Sequence, residues 1–178
     1  MNKTVSVLCC TLLSVFIGAT TQQPGDPDKQ SDAVTGELDA YWSEVSRSVS
    51  AGDFAGYSAT CHPEGVLVSG VKQTSYPLAQ ALAKWKQGFD DTRAQRMQAS
   101  AEFRFSQRIH GVKTAHETGI FRYASSKDGT QTVAYIHFEG LLQKTESGWQ
   151  IMMEYQKSAG TEADWKALAT TAANKENK

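Results

Sequence analysis

SAGDFAGYSATCHPEGVLVSG, from Ser50 to Gly70, reads as the end of one helix, a tight turn, a short second helix and a first strand. Gly52 can adopt the positive φ of a helix C-cap, and Asp53 can cap the next helix by accepting bonds from its free N–H groups. Phe54, Tyr57 and Cys61 recur at helical spacing, Pro63-Glu64-Gly65 is expected to stop that helix, and Val66, Leu67 and Val68 suit a buried strand. Cys61 is then expected on the apolar face of the short helix as an inert packing residue. His62 would point about 100° away around the helix, out of reach as a base for the thiol.

Upstream of this stretch, Leu38, Trp42, Val45 and Val49 form one helical face with Tyr41 beside them, so a helix from Ala33 should lie across a sheet. Downstream, Val71 to Ser75 reads as a loop. Ser75-Tyr76-Pro77 then starts a helix carried by Leu78, Leu82, Trp85 and Phe89, which is expected to finish near Phe89 because Asp90-Asp91 opposes the helix dipole.

From Met97 the period changes to two. Ala99, Ala101, Phe103 and Phe105 alternate with polar residues, a half-buried strand. Val112 to Tyr123, Gln131 to Lys144 and Trp149 to Lys157 are three more strands, separated by Asp128-Gly129 and Glu146-Ser147-Gly148. Hairpin-linked neighbours form an antiparallel meander. Thr161 with Asp164 resembles a capping box that opens a short helix with Trp165 and Leu168. Helices at the front and a meander behind define an α+β domain.

A chain of 178 residues with 40% apolar content supports one domain. Residues 1–20 carry Lys3 and an apolar run from Val5 to Ala19, the layout of a secretory signal peptide, with an uncleaved anchor as the alternative. Residues 21–32 read as a flexible leader, 33–158 as the folded domain, and 159–178 as a short helix and tail. The chain is therefore expected to be exported, periplasmic or extracellular, with no stable membrane insertion after cleavage. Cleavage leaves Cys61 as the sole thiol, with no intramolecular partner. Its 18 basic and 19 acidic residues are scattered, which argues against a nucleic-acid partner.

The order of elements, with SVSAGDFAGYSATCHPEGVLVS and GWQIMMEYQKS, resembles the nuclear transport factor 2-like superfamily, in particular its SnoaL-like, polyketide-cyclase-like group, over about residues 33 to 158. The resemblance implies a cone: a curved antiparallel sheet around helices, a pocket in the open end, and a homodimer through the sheet. Enzymes of the superfamily, ketosteroid isomerase and scytalone dehydratase among them, use pocket carboxylates or histidines as general acids and bases. Counted from the Gly-Asp turn, Ser69 falls near the isomerase base and Ser50 near an acidic residue of the dehydratase. Neither serine does those jobs unaided. Where related domains carry histidines on the last strand, this chain has Met153 and Tyr155.

The leading expectation is a small, largely apolar ligand bound in the cone by Tyr41, Trp42, Ser69, His116, His137 and Tyr155. The alternatives are a lyase or isomerase acting on a carbonyl compound, with His116, His137 and Glu139 as candidate catalytic groups, and a dimeric interaction module. The choice turns on which of His116, Glu117, His137, Glu139 and Glu154 point into the cone. Tyr135, His137 and Glu139 share one strand face, opposite an apolar row of Ala134, Ile136, Phe138 and Leu142. No zinc-ligand spacing, phosphate loop or nucleophile turn occurs, so neither metal nor cofactor is expected.

Overall fold

The computed structural model describes residues 27–168; the expected signal peptide, the leader up to residue 26 and the tail beyond 168 lie outside them. Helix α1 (Pro27–Ala51) buries Val34, Leu38, Trp42, Val45 and Val49, the expected face. It begins at Pro27, so the end of the leader is helical. Proline is tolerated in a first turn, and extending an existing helix adds one hydrogen bond per residue fixed. Gly52, at φ +65°, ends α1, and Asp53 N–H returns to the Ser48 carbonyl at 2.9 Å. Asp53 Oδ1 then accepts from Gly56 N–H at 2.9 Å and caps α2 (Phe54–Ala59), while Arg47 braces Oδ2 at 2.6 Å.

Strand β1 (Cys61–Ser69) starts earlier than expected, so Cys61 is buried at the head of a strand rather than on a helix. The reason is tertiary: Ile151 N–H donates to the Thr60 carbonyl, and Cys61 pairs with Ile151 of the last strand. Pro63-Glu64-Gly65 is a bulge inside β1, a place where a residue without an N–H is tolerated. A turn leads into β2 (Thr74–Pro77), where the end of a loop and a helix start at Ser75-Tyr76-Pro77 were expected, because this segment pairs with Val66–Ser69 of β1; α3 (Leu78–Arg93) follows. This helix runs beyond Phe89 because its late acids are compensated. Lys86 holds Asp90 at 2.6 Å, and Gln87, Arg96 and Lys127 converge on Asp91.

The meander follows as β3 (Gln98–His110), β4 (Thr114–Lys127), β5 (Thr130–Thr145) and β6 (Gly148–Ala159). The six-stranded sheet has the order β2-β1-β6-β5-β4-β3, with β1 parallel to β6 and every other pair antiparallel. Bulges interrupt β3 between Phe105 and Gln107, and β6 between Ile151 and Met153. Each bulge bends its strand and resets which residues point inward.

The core lies between the helices and the concave face. Trp42 is its hub, with ring centroids 4.4 Å from Phe103, 5.5 Å from Phe105 and 5.6 Å from Phe138. Full burial of a side chain such as Phe138 contributes roughly 1.5–3 kcal/mol. On the convex face, Thr161 and Asp164 exchange capping bonds, and helix 162–168 (α4) seats Trp165 against Arg104 and Tyr135.

Candidate functional site

A cavity of about 510 Å³ occupies the cone between α1, α2, α3 and the concave face. Trp42 of α1, Tyr57 of α2, and Trp85 and Phe89 of α3 form the helical wall. Phe103, Phe121, Tyr123 and Phe138 of successive strands form the sheet wall. These positions follow from two periods: α3 presents Trp85 and Phe89 one turn apart, and alternation along β3, β4 and β5 turns the same row of rings inward. Ala99, Ala101 and Ala134 leave the space that larger side chains would fill.

Two polar side chains of β6, Glu154 and Gln156, reach this apolar wall. Gln156 Nε2 donates to Glu154 Oε1 at 2.7 Å. Protein surrounds the Glu154 carboxyl and pushes its pKa above the usual carboxylate range, because the charged form loses its hydration. Burial likewise pushes the Tyr57 hydroxyl well above the ordinary tyrosine value. The Cys61 thiol, behind the wall, is raised by burial to about 12.

Outside the cavity, on the far side of Trp42's indole nitrogen, lies a fully buried acid. Glu117 has no exposed surface; it accepts from Trp42 Nε1 and from Arg108 Nε, and Arg108 also reaches Asp39. The β3 bulge makes this possible by placing Arg108 opposite Glu117 in register. This acid is neutralised by a built-in cation and stays outside the lumen.

Of the residues expected to line the pocket, Trp42 does so. Tyr41 packs behind the wall, its hydroxyl donating to the Thr60 carbonyl at 3.2 Å. Ser69 is buried in β1 opposite Gln156, accepts from Lys72 N–H at 3.2 Å, and is not among the residues that line the cavity. His116, His137, Glu139 and Tyr155 are corrected to the convex face, since β5 and β6 turn Ile136, Phe138, Glu154 and Gln156 inward. There His116 Nε2 lies 3.2 Å and Lys157 Nζ 2.6 Å from Glu139, whose pKa they lower. His137 Nε2 lies 3.6 Å from Asp164 at the foot of α4. Sequence reasoning passed over Tyr57, Trp85 and Gln156 as wall residues; the helical spacing of Trp85 with Phe89 was the available signal for one of them.

Among the described residues, no group of three or more His, Cys, Asp and Glu side chains could hold a metal ion, and no helix is long and apolar enough to cross a membrane. No family model and no curated protein matches the chain. Solved structures do. An NTF2-like protein of unknown function from Shewanella oneidensis has 16% identity and a TM-score of 0.53, over 68% of this chain and 97% of its own. A nuclear transport factor 2-like superfamily protein from Salmonella enterica has 9% identity and a TM-score of 0.55, over 74% and 95%. A protein of unknown function from Mycobacterium tuberculosis has 10% identity and a TM-score of 0.60, over 80% and 81%. The fold is that of nuclear transport factor 2-like proteins, an α+β cone of helices on a curved sheet.

Proposed function

We propose that the protein binds a small, largely apolar molecule inside the cone, as an exported domain of the SnoaL-like kind. The observation that carries this reading is the cavity of about 510 Å³, walled by aromatic side chains, with Glu154, Gln156, Lys84 and Thr92 as its few other polar side chains. That size lies within the usual range for a small-molecule pocket, and a few polar groups on an apolar wall orient a ligand. Export rests on the composition of residues 1–20, and assembly as a homodimer on the convex face, where Val133 and Leu141 of β5 are exposed.

Binding of the neutral dye N-phenyl-1-naphthylamine, read by its fluorescence, tests the pocket. Wild type should bind it, and Ala101→Phe, which fills the lumen from β3, should abolish binding while the circular dichroism spectrum is retained. Equal binding by both proteins would place the dye elsewhere and remove the support.

A second reading, an isomerase or lyase acting on a carbonyl compound, is favoured by Glu154 alone. A carboxylate whose pKa is raised by burial, facing an apolar lumen, is suited to accept a proton from carbon next to a carbonyl. Wild type should turn over such a compound and Glu154→Gln should not; turnover retained in the variant would exclude Glu154 as the base, and no turnover by wild type would exclude the reading.

A further inference from the structure

The geometry points to an organic cation as the ligand of the cone: a compact apolar molecule bearing an ammonium group, held by the aromatic wall and paired with the Glu154 carboxylate. This rests on the proposed ligand-binding cavity and names the chemical class of its occupant.

Glu154 is set apart by what it lacks. Other buried or partly buried acids of the sheet and helices have built-in cations: Arg108 for Glu117, Arg96 and Lys127 for Asp91, Lys157 for Glu139. Glu154 has only the Gln156 amide. Lys84, the cation that lines the same cavity, holds its Nζ over the Tyr76 ring at 4.2 Å and makes no ion pair with Glu154. A half-buried carboxylate without a cation carries a desolvation penalty in its ionised form that an incoming ammonium relieves.

The wall supplies the second half of the recognition. Trp42, Tyr57, Trp85, Phe89, Phe103 and Phe121 line the lumen. Aromatic faces attract a cation through their quadrupole, most strongly where water is excluded. They also pack the apolar body of the ligand. A neutral apolar molecule would satisfy the rings and leave the carboxyl as it stands, whereas an ammonium compound satisfies both.

The test compares benzyltrimethylammonium with neopentylbenzene, its uncharged isostere with carbon in place of nitrogen. Each is titrated into wild-type protein at about pH 8, where ordinary carboxylates are ionised. Tryptophan fluorescence is followed, because Trp42 and Trp85 line the cavity. The cation should bind at least about tenfold more tightly than the isostere, and Glu154→Gln should erase that preference while leaving neopentylbenzene within about threefold. Equal or tighter binding of neopentylbenzene to wild type overturns the cation class and leaves the apolar pocket standing. A preference that survives in Glu154→Gln overturns the role of Glu154. Binding of neither probe removes the pocket reading and this inference together. The wild-type comparison needs no variant and decides the ligand class by itself.

Discussion

Gln156 Nε2 and Glu154 Oε1 lie 2.7 Å apart, two positions along β6, and this amide is the hydrogen-bond partner of a carboxyl that burial has made hard to ionise. Its folded pKa is raised, so the native state holds a proton that the unfolded chain releases. The stability due to this group is present below the unfolded value of about 4.3 and is lost as pH rises through the folded value. Glu154→Gln should therefore gain stability over wild type as pH is raised from about 4 to about 8, read as a widening gap in urea midpoints. A gap that narrows over that interval would contradict the assignment.

Asp91 behaves in the opposite sense. Lys127, Arg96 and Gln87 hold its pKa far below the usual range, so its contribution is present above the unfolded value of about 3.9 and fades as pH falls below it. Asp91→Asn should be less stable than wild type near neutrality, with the difference shrinking on acidification toward about pH 2. A difference independent of pH would mean that the carboxylate acts only through shape.

Arg108 neutralises Glu117, which is fully buried. Arg108→Met should destabilise the fold by about 3–5 kcal/mol, because an uncompensated charge stays inside, and Glu117→Gln in the same chain should recover part of the loss. Chemical denaturation measures both. A loss below about 1 kcal/mol would show that water reaches the site.

Two glycines with positive φ should respond differently. A Cβ at Gly52 would stand 2.3 Å from Arg93 N and 2.6 Å from the Phe89 carbonyl oxygen, whereas at Gly129 it meets nothing within 4 Å. Gly129→Ala should cost about 1 kcal/mol, the conformational term alone, and Gly52→Ala clearly more. Equal melting temperatures for the two variants would refute the close approach of α3 to the α1–α2 turn.

Cys61, with its thiol pushed up to about 12, should resist modification. In a Cys9→Ser, Cys10→Ser background, reaction with an aromatic disulfide reagent should be slow in buffer and fast in denaturant. Rapid labelling of the native protein would show that the head of β1 opens.

Much of the fold was legible in order and period. The stripe from Leu38 to Val49, the Gly52-Asp53 junction and the alternation from Ala99 to Phe105 are local patterns, and local backbone preferences largely decide such elements. The site was harder to read. Strict alternation along β6 puts Trp149, Ile151, Met153 and Tyr155 on one face. The bulge between Ile151 and Met153 shifts the register, so Glu154 and Gln156 face the lumen and Tyr155 faces out. One extra residue in a strand flips everything beyond it, and nothing in the local sequence marks that insertion.

The sequence alone determined the types of the long helices and of the four meander strands, the capping at Asp53 and Thr161, and the pool of aromatic side chains, because each depends on neighbours a few residues away. Tertiary structure alone decided that β1 lies parallel to β6, that Cys61 opens a strand, that Arg108 meets Glu117, and that Glu154 is the acid facing the cone. Those outcomes rest on hydrogen bonds and charge pairing between segments far apart in the chain, which come into being only when the sheet closes around the helices.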